Sequence, residues 1–271
     1  MVNSASQPIG IFDSGIGGLT VAQALVHQLP HEDIIYFGDT AHLPYGDKST
    51  AAIQSYAVKI SHMLLQQNCK LILIACHTAS SAAFELVKEY VGSKACVMNV
   101  IDPVVNHLRE RYVKKCVGLI GTKSTVQSNI YKKRIDELNL NIHLKSQATA
   151  ILASAIEEGF HSKEVIDHIL EEYLSRDTLA DIEALILACT HYPVVKKNIA
   201  AFYENKIDII DPSEIVANAV KSRLALDDLV NKKKSAGEKQ FFVSDYTASF
   251  SENTKLFFDE IIDLKHYPIW D

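Results

Sequence analysis

One pattern occurs twice in the sequence, and this duplication constrains the fold more than any other feature. The two copies are Leu71-Ile-Leu-Ile-Ala-Cys-His-Thr78 and Leu185-Ile-Leu-Ala-Cys-Thr-His191. Each copy is a short apolar run before a helical pattern, which is typical of a strand covered on both faces in a parallel sheet. Because ligands bind at the carboxyl ends of such strands, we expect Cys76 and Cys189 to lie at a functional site.

Two further pairs of landmarks repeat in nearly the same register. Asp13 aligns with Gly121, and Ile101-Asp-Pro103 aligns with Ile210-Asp-Pro212. These two pairs are separated by 108 and 109 residues, and the two cysteines by 113 residues. A period of this length is too long for a solenoid. The sequence therefore predicts an α/β fold of two pseudo-symmetric three-layer αβα half-domains with mostly parallel sheets and an active site in the cleft between them.

The Asp-Pro steps give the predicted boundaries between the half-domains, because a proline cannot continue a strand ladder. Residues 1–102 plus 212–271 form the first half-domain and residues 103–211 the second. Ser49 is the predicted N-cap of a helix. The tail after Ser213 is predicted to return to the first half-domain with a helix, a strand over 240–243 and a last amphipathic helix through Ile262. Strands are predicted over 9–13, 33–37, 71–76, 95–101, 116–120, 142–145, 184–188 and 207–210.

Composition excludes several classes of protein. The 271 residues are 48% hydrophobic and 22% charged, as expected of a globular chain. A net charge of -6 without clustered Lys and Arg argues against a nucleic-acid partner. The polar first eight residues and the lack of an apolar run of roughly 18 residues indicate no signal peptide and no membrane span, which favours the cytoplasm. Five irregularly spaced cysteines indicate reduced thiols.

Several roles are open to Cys76 and Cys189. A redox pair lacks the usual Cys-x-x-Cys spacing, a zinc site lacks short ligand hairpins, and a pair of core cysteines is the structural alternative. Each cysteine is followed by Thr, Ser or His and a predicted helix start, whose N–H groups and dipole lower the pKa of a thiol. Two such thiols on opposite faces of a small carboxylate suit proton removal from one face of a carbon and delivery to the other. No motif for a cofactor is present, so we expect no cofactor and no metal.

The motifs together resemble the cofactor-independent glutamate racemases of peptidoglycan synthesis. The resemblance runs from Ile9 to about Ala219. It is carried by Phe12-Asp-Ser-Gly-Ile-Gly-Gly-Leu-Thr20, Tyr36-Phe-Gly-Asp-Thr40, Pro44-Tyr-Gly46, Ala75-Cys-x-Thr-Ala-Ser80, Gly121-Thr122 with Thr125, and Cys189-Thr-His-Tyr-Pro193.

The resemblance implies a role for each matching residue and a homodimer. Cys76 would remove the α-proton of D-glutamate and Cys189 that of L-glutamate, with Asp13, His191 and Glu157 assisting. Substrate contacts would come from Ser14, Pro44, Tyr45, Gly46, His77, Thr78, Thr122, Thr125 and Thr190. Structural alternatives remain: Asp13 as a helix N-cap, His191 as a core histidine, Ser14 and the threonines as turn formers, and Glu157 as a solvated carboxylate.

The chain departs from the family pattern at three places. His77 replaces Asn, Ala188 replaces Gly, and residues 146–150 lack the usual prolines. An aspartate or other amino-acid racemase, and a weakened homologue that binds or regulates, are the alternative functions. If His77 faces the cleft beside Cys76, its titration would make the catalytic efficiency from the D-glutamate side depend on pH, and His77→Asn would remove that dependence.

Overall fold

The strands of the chain form two separate parallel sheets. The computed structural model describes residues 4–159, 163–258, 260 and 262–271. In chain order the strands are β1 (Ile9–Asp13), β2 (Ile34–Gly38), β3 (Leu71–Ile74), β4 (Cys96–Asn99), β5 (Cys116–Gly121), β6 (His143–Ala148), β7 (Ala184–Ala188), β8 (Asp208–Ile210), β9 (Lys239–Val243) and β10 (Leu264–His266).

Helices follow or separate these strands. In chain order they are α1 (Leu19–Gln28), α2 (Thr50–Gln66), α3 (His77–Val91), α4 (Ile101–Arg111), α5 (Lys123–Gln127), α6 (Ile130–Asp136), α7 (Leu152–Glu157), α8 (Lys163–Leu174), α9 (Lys196–Phe202), α10 (Pro212–Leu226) and α11 (Ala248–Asn253). The predicted N-cap at Ser49 is confirmed, because its side chain accepts a hydrogen bond from the N–H of Ala52 at 3.2 Å.

Strand order confirms the duplication predicted from the sequence. The first sheet has the order β10-β9-β2-β1-β3-β4 and the second the order β6-β5-β7-β8. The arrangement β2-β1-β3-β4 is therefore repeated by β6-β5-β7-β8, which makes β3 equivalent to β7. Cys76 and Cys189 come after the carboxyl ends of these two equivalent strands.

The first sheet is covered by helices on both faces. Successive side chains of a strand point to opposite faces, so Ile11 packs in one cluster with Leu25 of α1 while Phe12 packs in another with Ile60 of α2. This burial on both faces explains why the strands of the sequence are continuous apolar runs rather than alternating ones.

The tail returns to the first sheet, as predicted, because β9 pairs in parallel with β2. The predicted long helix through Ile262 is wrong: α11 is short and is followed by a 3-10 turn at Thr254–Leu256. Residues 259 and 261 of that prediction lie outside the described residues. The sequence also missed β10, since three residues at a sheet edge are too few to show a period of two.

The Asp-Pro steps mark the starts of helices in equivalent positions. The strand predicted over 95–101 ends early at Asn99, because Asn99 Oδ1 accepts the N–H groups of Ile101 and Asp102 at 2.7 and 2.8 Å and begins α4. Asp211 caps α10 in a similar way by accepting the N–H of Ser213 at 3.0 Å. A proline is well tolerated in a first helical turn, where its missing N–H has no helical partner. Over the described residues, every helix is too short or too polar to cross a membrane.

Candidate active site

Cys76 occupies the N-cap position of α3, just after the carboxyl end of β3. Its Sγ accepts the N–H of Ala79 at 3.4 Å and donates to the hydroxyl of Ser14 at 3.6 Å. Burial raises the pKa of this thiol to about 12, and the Asp13 carboxylate adds to the rise. The prediction that the helix start lowers the thiol pKa is therefore wrong for Cys76, because the loss of solvation outweighs one backbone N–H.

Asp13 ends β1 beside this thiol and is fully buried. Its Oδ2 accepts the N–H of Gly18 at 2.9 Å and the hydroxyl of Thr190 at 3.5 Å. Oδ1 has no hydrogen-bond partner among the described residues. Burial raises the pKa of Asp13, and His191 opposes the rise. The N-cap of α1 is Gly18, so Asp13 is not the cap, which removes the structural alternative for this residue.

Cys189, His191 and Glu157 form a chain of contacts at the end of β7. The Sγ of Cys189 lies 3.7 Å from Nδ1 of His191, and Nε2 of His191 lies 2.9 Å from Oε2 of Glu157. Burial opposes protonation of His191, but the Glu157 carboxylate and the Cys189 sulfur raise its pKa well above the usual value. The imidazole is therefore held as a cation between the carboxylate of Glu157 and the sulfur of Cys189.

Glu157 is the last residue of α7, and its side chain is only 13% exposed. The alternative of a solvated carboxylate is therefore wrong. Its Oε2 is occupied by His191, whereas its Oε1 has no hydrogen-bond partner in the described part of the chain.

Three threonine hydroxyls connect the helices that follow β3 and β5. Thr78 Oγ1 lies 2.9 Å from Thr122 Oγ1 and 3.3 Å from Thr125 Oγ1, and the last two hydroxyls are 2.9 Å apart. Thr122 also caps α5 by accepting the N–H of Thr125 at 3.2 Å. The turn-forming role and the predicted site role therefore coincide at Thr122.

The loop of residues 40–47 brings Tyr45 and Gly46 to the same place. Tyr45 is buried, and its hydroxyl donates to Oδ2 of Asp39 at 2.7 Å. A Cβ placed on Gly46 would lie 3.2 Å from Cβ of Thr122, so this glycine allows close packing of the loop against the start of α5.

His77 is buried next to Cys76, and its Nδ1 lies 2.9 Å from the hydroxyl of Tyr131 in α6. Burial lowers the pKa of His77 to about 3. The predicted titration of His77 near physiological pH is therefore wrong, because the buried ring stays neutral throughout that range.

Both cysteines line one cavity of about 40 Å³. Its wall contains twelve of the fourteen predicted site residues: Ser14, Pro44, Tyr45, Gly46, Cys76, His77, Thr78, Thr122, Glu157, Cys189, Thr190 and His191. The other two, Asp13 and Thr125, lie behind the wall and contact Thr190 and Thr122.

Sequence reasoning missed three residues of the wall, Leu43, Ala153 and Ser154. Ala153 and Ser154 come four and three residues before Glu157 in α7, a spacing that places them on the same helix face. That spacing could have identified them once Glu157 was selected. Leu43 is apolar and carries no comparable signal.

The cavity places two thiols, a carboxylate and an imidazole close together, and these are groups that can act in acid–base chemistry. Among residues 4–159, 163–258, 260 and 262–271, no group of three or more His, Cys, Asp or Glu side chains is arranged to hold a metal ion. Cys76 has a neighbouring carboxylate and a raised pKa, whereas Cys189 has a neighbouring imidazole cation. One thiol is therefore held as an acid, and the other sulfur lies next to a positive charge.

Comparisons with known proteins identify the family of the chain. Residues 9–220 match the Asp/Glu/Hydantoin racemase family. A glutamate racemase of Chlorobaculum parvum is 38% identical over 254 residues, which cover 94% of this chain and 93% of the relative. The crystal structure of glutamate racemase from Francisella tularensis in complex with D-glutamate is 38% identical, covers 98% of this chain and 99% of that one, and superposes with a TM-score of 0.90. The chain therefore belongs to the Asp/Glu/hydantoin racemase family.

Proposed function

We propose that this protein interconverts L-glutamate and D-glutamate by a two-base mechanism in which Cys76 and Cys189 exchange the roles of acid and base. The observation that carries the proposal is that both cysteines, from equivalent positions after β3 and β7, line one cavity. Glutamate is favoured over aspartate because the relatives with 38% identity are glutamate racemases. An aspartate racemase of Picrophilus torridus is only 20% identical, which speaks for a common fold alone.

The charges around the two sulfurs favour one starting state. The raised pKa of Cys76 keeps it a thiol, and the His191 cation places a positive charge beside the sulfur of Cys189. In this state Cys189 removes the α-proton of L-glutamate, and Cys76 delivers its own proton to the opposite face. D-glutamate requires the reverse arrangement, with Cys76 as thiolate and Cys189 as thiol.

The remaining residues of the wall bind the substrate and stabilise the carbanion. The hydroxyls of Thr78, Thr122 and Ser14 donate hydrogen bonds to substrate carboxylates, which spreads the negative charge that develops at the α-carbon. Asp13 assists Cys76, and the pair of His191 and Glu157 assists Cys189. Burial of the site strengthens each of these interactions by excluding water.

Exchange of the α-hydrogen in heavy water tests the two-base mechanism. Cys76→Ser keeps only the base for L-glutamate, so this variant should exchange the α-hydrogen of L-glutamate and leave D-glutamate unchanged. Cys189→Ser should show the opposite preference. Racemisation should fall by at least about 100-fold in both variants, because each direction needs an acid as well as a base.

The same assay separates the alternatives. If one variant exchanges the α-hydrogen of both enantiomers, the idea that each face of the α-carbon has its own base is ruled out. Exchange of aspartate in preference to glutamate would identify an aspartate racemase, and glutamate binding without exchange in the wild-type protein would identify a binding or regulatory protein. Cys69→Ser is the matched control, since Cys69 is buried just before β3 and does not line the cavity.

The proposal extends to organisation and biological role. The division into residues 1–102 plus 212–271 and residues 103–211 agrees with the strands that each sheet contains. By resemblance to its family, the protein is proposed to be a cytoplasmic homodimer that supplies D-glutamate for peptidoglycan synthesis. Light scattering of the purified protein tests the dimer.

A further inference from the structure

The carboxylate of Asp39 connects the 40–47 loop to the C-terminal segment of the chain. Asp39 follows β2 and is fully buried. It accepts hydrogen bonds from His42 Nδ1 at 2.9 Å, the Tyr45 hydroxyl at 2.7 Å, the Ser244 hydroxyl at 2.8 Å and Trp270 Nε1 at 2.7 Å. A carboxylate has about four sites for acceptance, so these four donors use its whole capacity. The groups around Asp39 are therefore held in one arrangement.

This arrangement reaches the cavity through Tyr45. Residues 44–46 form part of the cavity wall, whereas Asp39 lies outside it. The Tyr45 hydroxyl points back to Asp39, and Gly46 packs against Thr122 on the opposite side. Asp39 is therefore joined to this stretch of wall through Tyr45 and is not itself part of the wall.

Trp270 belongs to a separate aromatic cluster on the outer side of the loop. The ring of His42 stacks on Tyr56 with centroids 4.0 Å apart, and the indole meets the edge of His42 at 4.5 Å. Lys59 Nζ lies 4.6 Å above the indole ring. These contacts hold the indole in the position from which its N–H donates to Asp39. The proposed transfer of protons between the two cysteines and the α-carbon requires none of these groups.

We propose that Trp270 is a positioning residue for the substrate: its indole N–H, acting through Asp39, holds Tyr45 and the 44–46 wall in the geometry that contacts glutamate. This inference rests on the proposed function, because it concerns the same cavity. Binding and positioning are coupled in both directions. A variant that loses the indole N–H binds glutamate more weakly, and glutamate that contacts the wall changes the surroundings of the indole.

Tryptophan fluorescence measures this coupling directly, because Trp270 is the only tryptophan in the chain. Titration of the wild-type protein with D-glutamate should change the emission saturably, with a midpoint close to the KM. Asp39→Asn keeps the shape of the side chain but replaces one acceptor oxygen by a donor, and it should reduce the amplitude and shift the midpoint to higher concentration. The inference would be overturned if the wild-type protein racemises glutamate but its emission stays constant during the titration.

Steady-state kinetics give a second, independent test. Trp270→Phe keeps an aromatic ring and removes the N–H, and should raise the KM about three- to ten-fold in both directions while kcat changes less than about two-fold. Tyr267→Phe is the matched control: it also removes one donor from the C-terminal segment, but its ring packs against Phe242 and does not touch Asp39. It should leave both constants unchanged.

The outcomes distinguish this inference from the proposed function. A wild-type protein that does not racemise glutamate contradicts the proposed function itself. An active wild-type protein with an unchanged KM in Trp270→Phe contradicts only the positioning role. A lower melting temperature with unchanged KM assigns Trp270 to stability alone and also overturns the inference.

Discussion

The hydroxyl of Tyr131 lies 2.9 Å from Nδ1 of His77. Burial raises the pKa of Tyr131 and lowers that of His77 to about 3, so the phenol keeps its proton and the imidazole stays neutral. The phenol then donates to Nδ1, and the ring proton resides on Nε2. The pair connects α6, which follows the second sheet's β5, to the first turn of α3, directly after Cys76. His77 is therefore a fixed neutral group and not a switch.

The pKa of His77 predicts how stability depends on pH. An unfolded histidine binds a proton near pH 6.5, whereas folded His77 stays neutral down to about pH 3. The contribution of neutral His77 to the free energy of unfolding is therefore complete above pH 6.5 and is lost as the pH falls toward 3. Between pH 7.5 and 5.5 the wild-type protein should lose about 1 kcal/mol more free energy of unfolding than His77→Asn. Urea unfolding at both pH values measures this difference.

Tyr131→Phe is the control, because it removes the hydroxyl and keeps the buried imidazole. It should retain the acid sensitivity of the wild-type protein. Equal losses in the wild-type protein and in His77→Asn would contradict the lowered pKa. The pH profile of racemisation should have the same shape in both proteins above pH 6.

The Glu157 carboxylate should determine the charge of His191. Burial opposes the imidazole cation, and Glu157 overcomes this effect and raises the pKa of His191. The stability of this pair is therefore complete below pH 6.5 and is lost as the pH rises through the folded pKa. Glu157→Gln removes the carboxylate that raises the pKa of His191, so the positive charge beside the sulfur of Cys189 is weakened. We expect kcat/KM to fall about 10- to 100-fold.

Isotope effects identify which thiol is affected. The equilibrium constant between enantiomers is unity, so kcat/KM must fall equally in both directions and cannot assign the defect. The primary isotope effect with 2-deuterated L-glutamate should rise in Glu157→Gln, because removal of that proton by Cys189 becomes slower. Glu158→Gln, an exposed neighbour, is the control and should match the wild-type protein. Full activity in Glu157→Gln would contradict the role of the carboxylate.

Much of the fold could be predicted because it is encoded locally and twice. β1 and β7 were predicted with their observed bounds, since both are continuous apolar runs that end at a polar residue or a cysteine. The equivalence of Cys76 and Cys189 followed from the constant register of the landmarks. Edge strands such as β10 carry no such signal, because a strand with one neighbour needs few apolar residues.

The properties that were missed depend on contacts between distant parts of the chain. The pKa of Cys76 is set by burial and by Asp13, which is 63 positions earlier in the chain. The partner of His77 is Tyr131, from the other repeat. Asp39 was predicted only as part of a motif, although it binds Trp270 near the C-terminus. A pattern within a short window contains no information about such pairs.

Gly17, in the turn after β1, lies against the residues that follow β7. A Cβ on Gly17 would lie 2.5 Å from Nδ1 of His191 and 2.7 Å from Oγ1 of Thr190. The missing side chain therefore makes room for the group that assists Cys189. Gly17→Ala should displace the imidazole and lower kcat/KM about 10- to 100-fold, with a loss of about 1–3 kcal/mol in stability.

Ile16→Val separates these two effects for Gly17. Ile16 is fully buried in the same turn, and the loss of one methyl group should cost about 1 kcal/mol of stability. Because this change leaves His191 in place, kcat/KM should stay within about two-fold of the wild-type value. Steady-state assays and urea unfolding of both variants, at one temperature, compare activity and stability. If Gly17→Ala loses stability but keeps its activity, the imidazole of His191 tolerates displacement and the close approach at Gly17 serves packing alone.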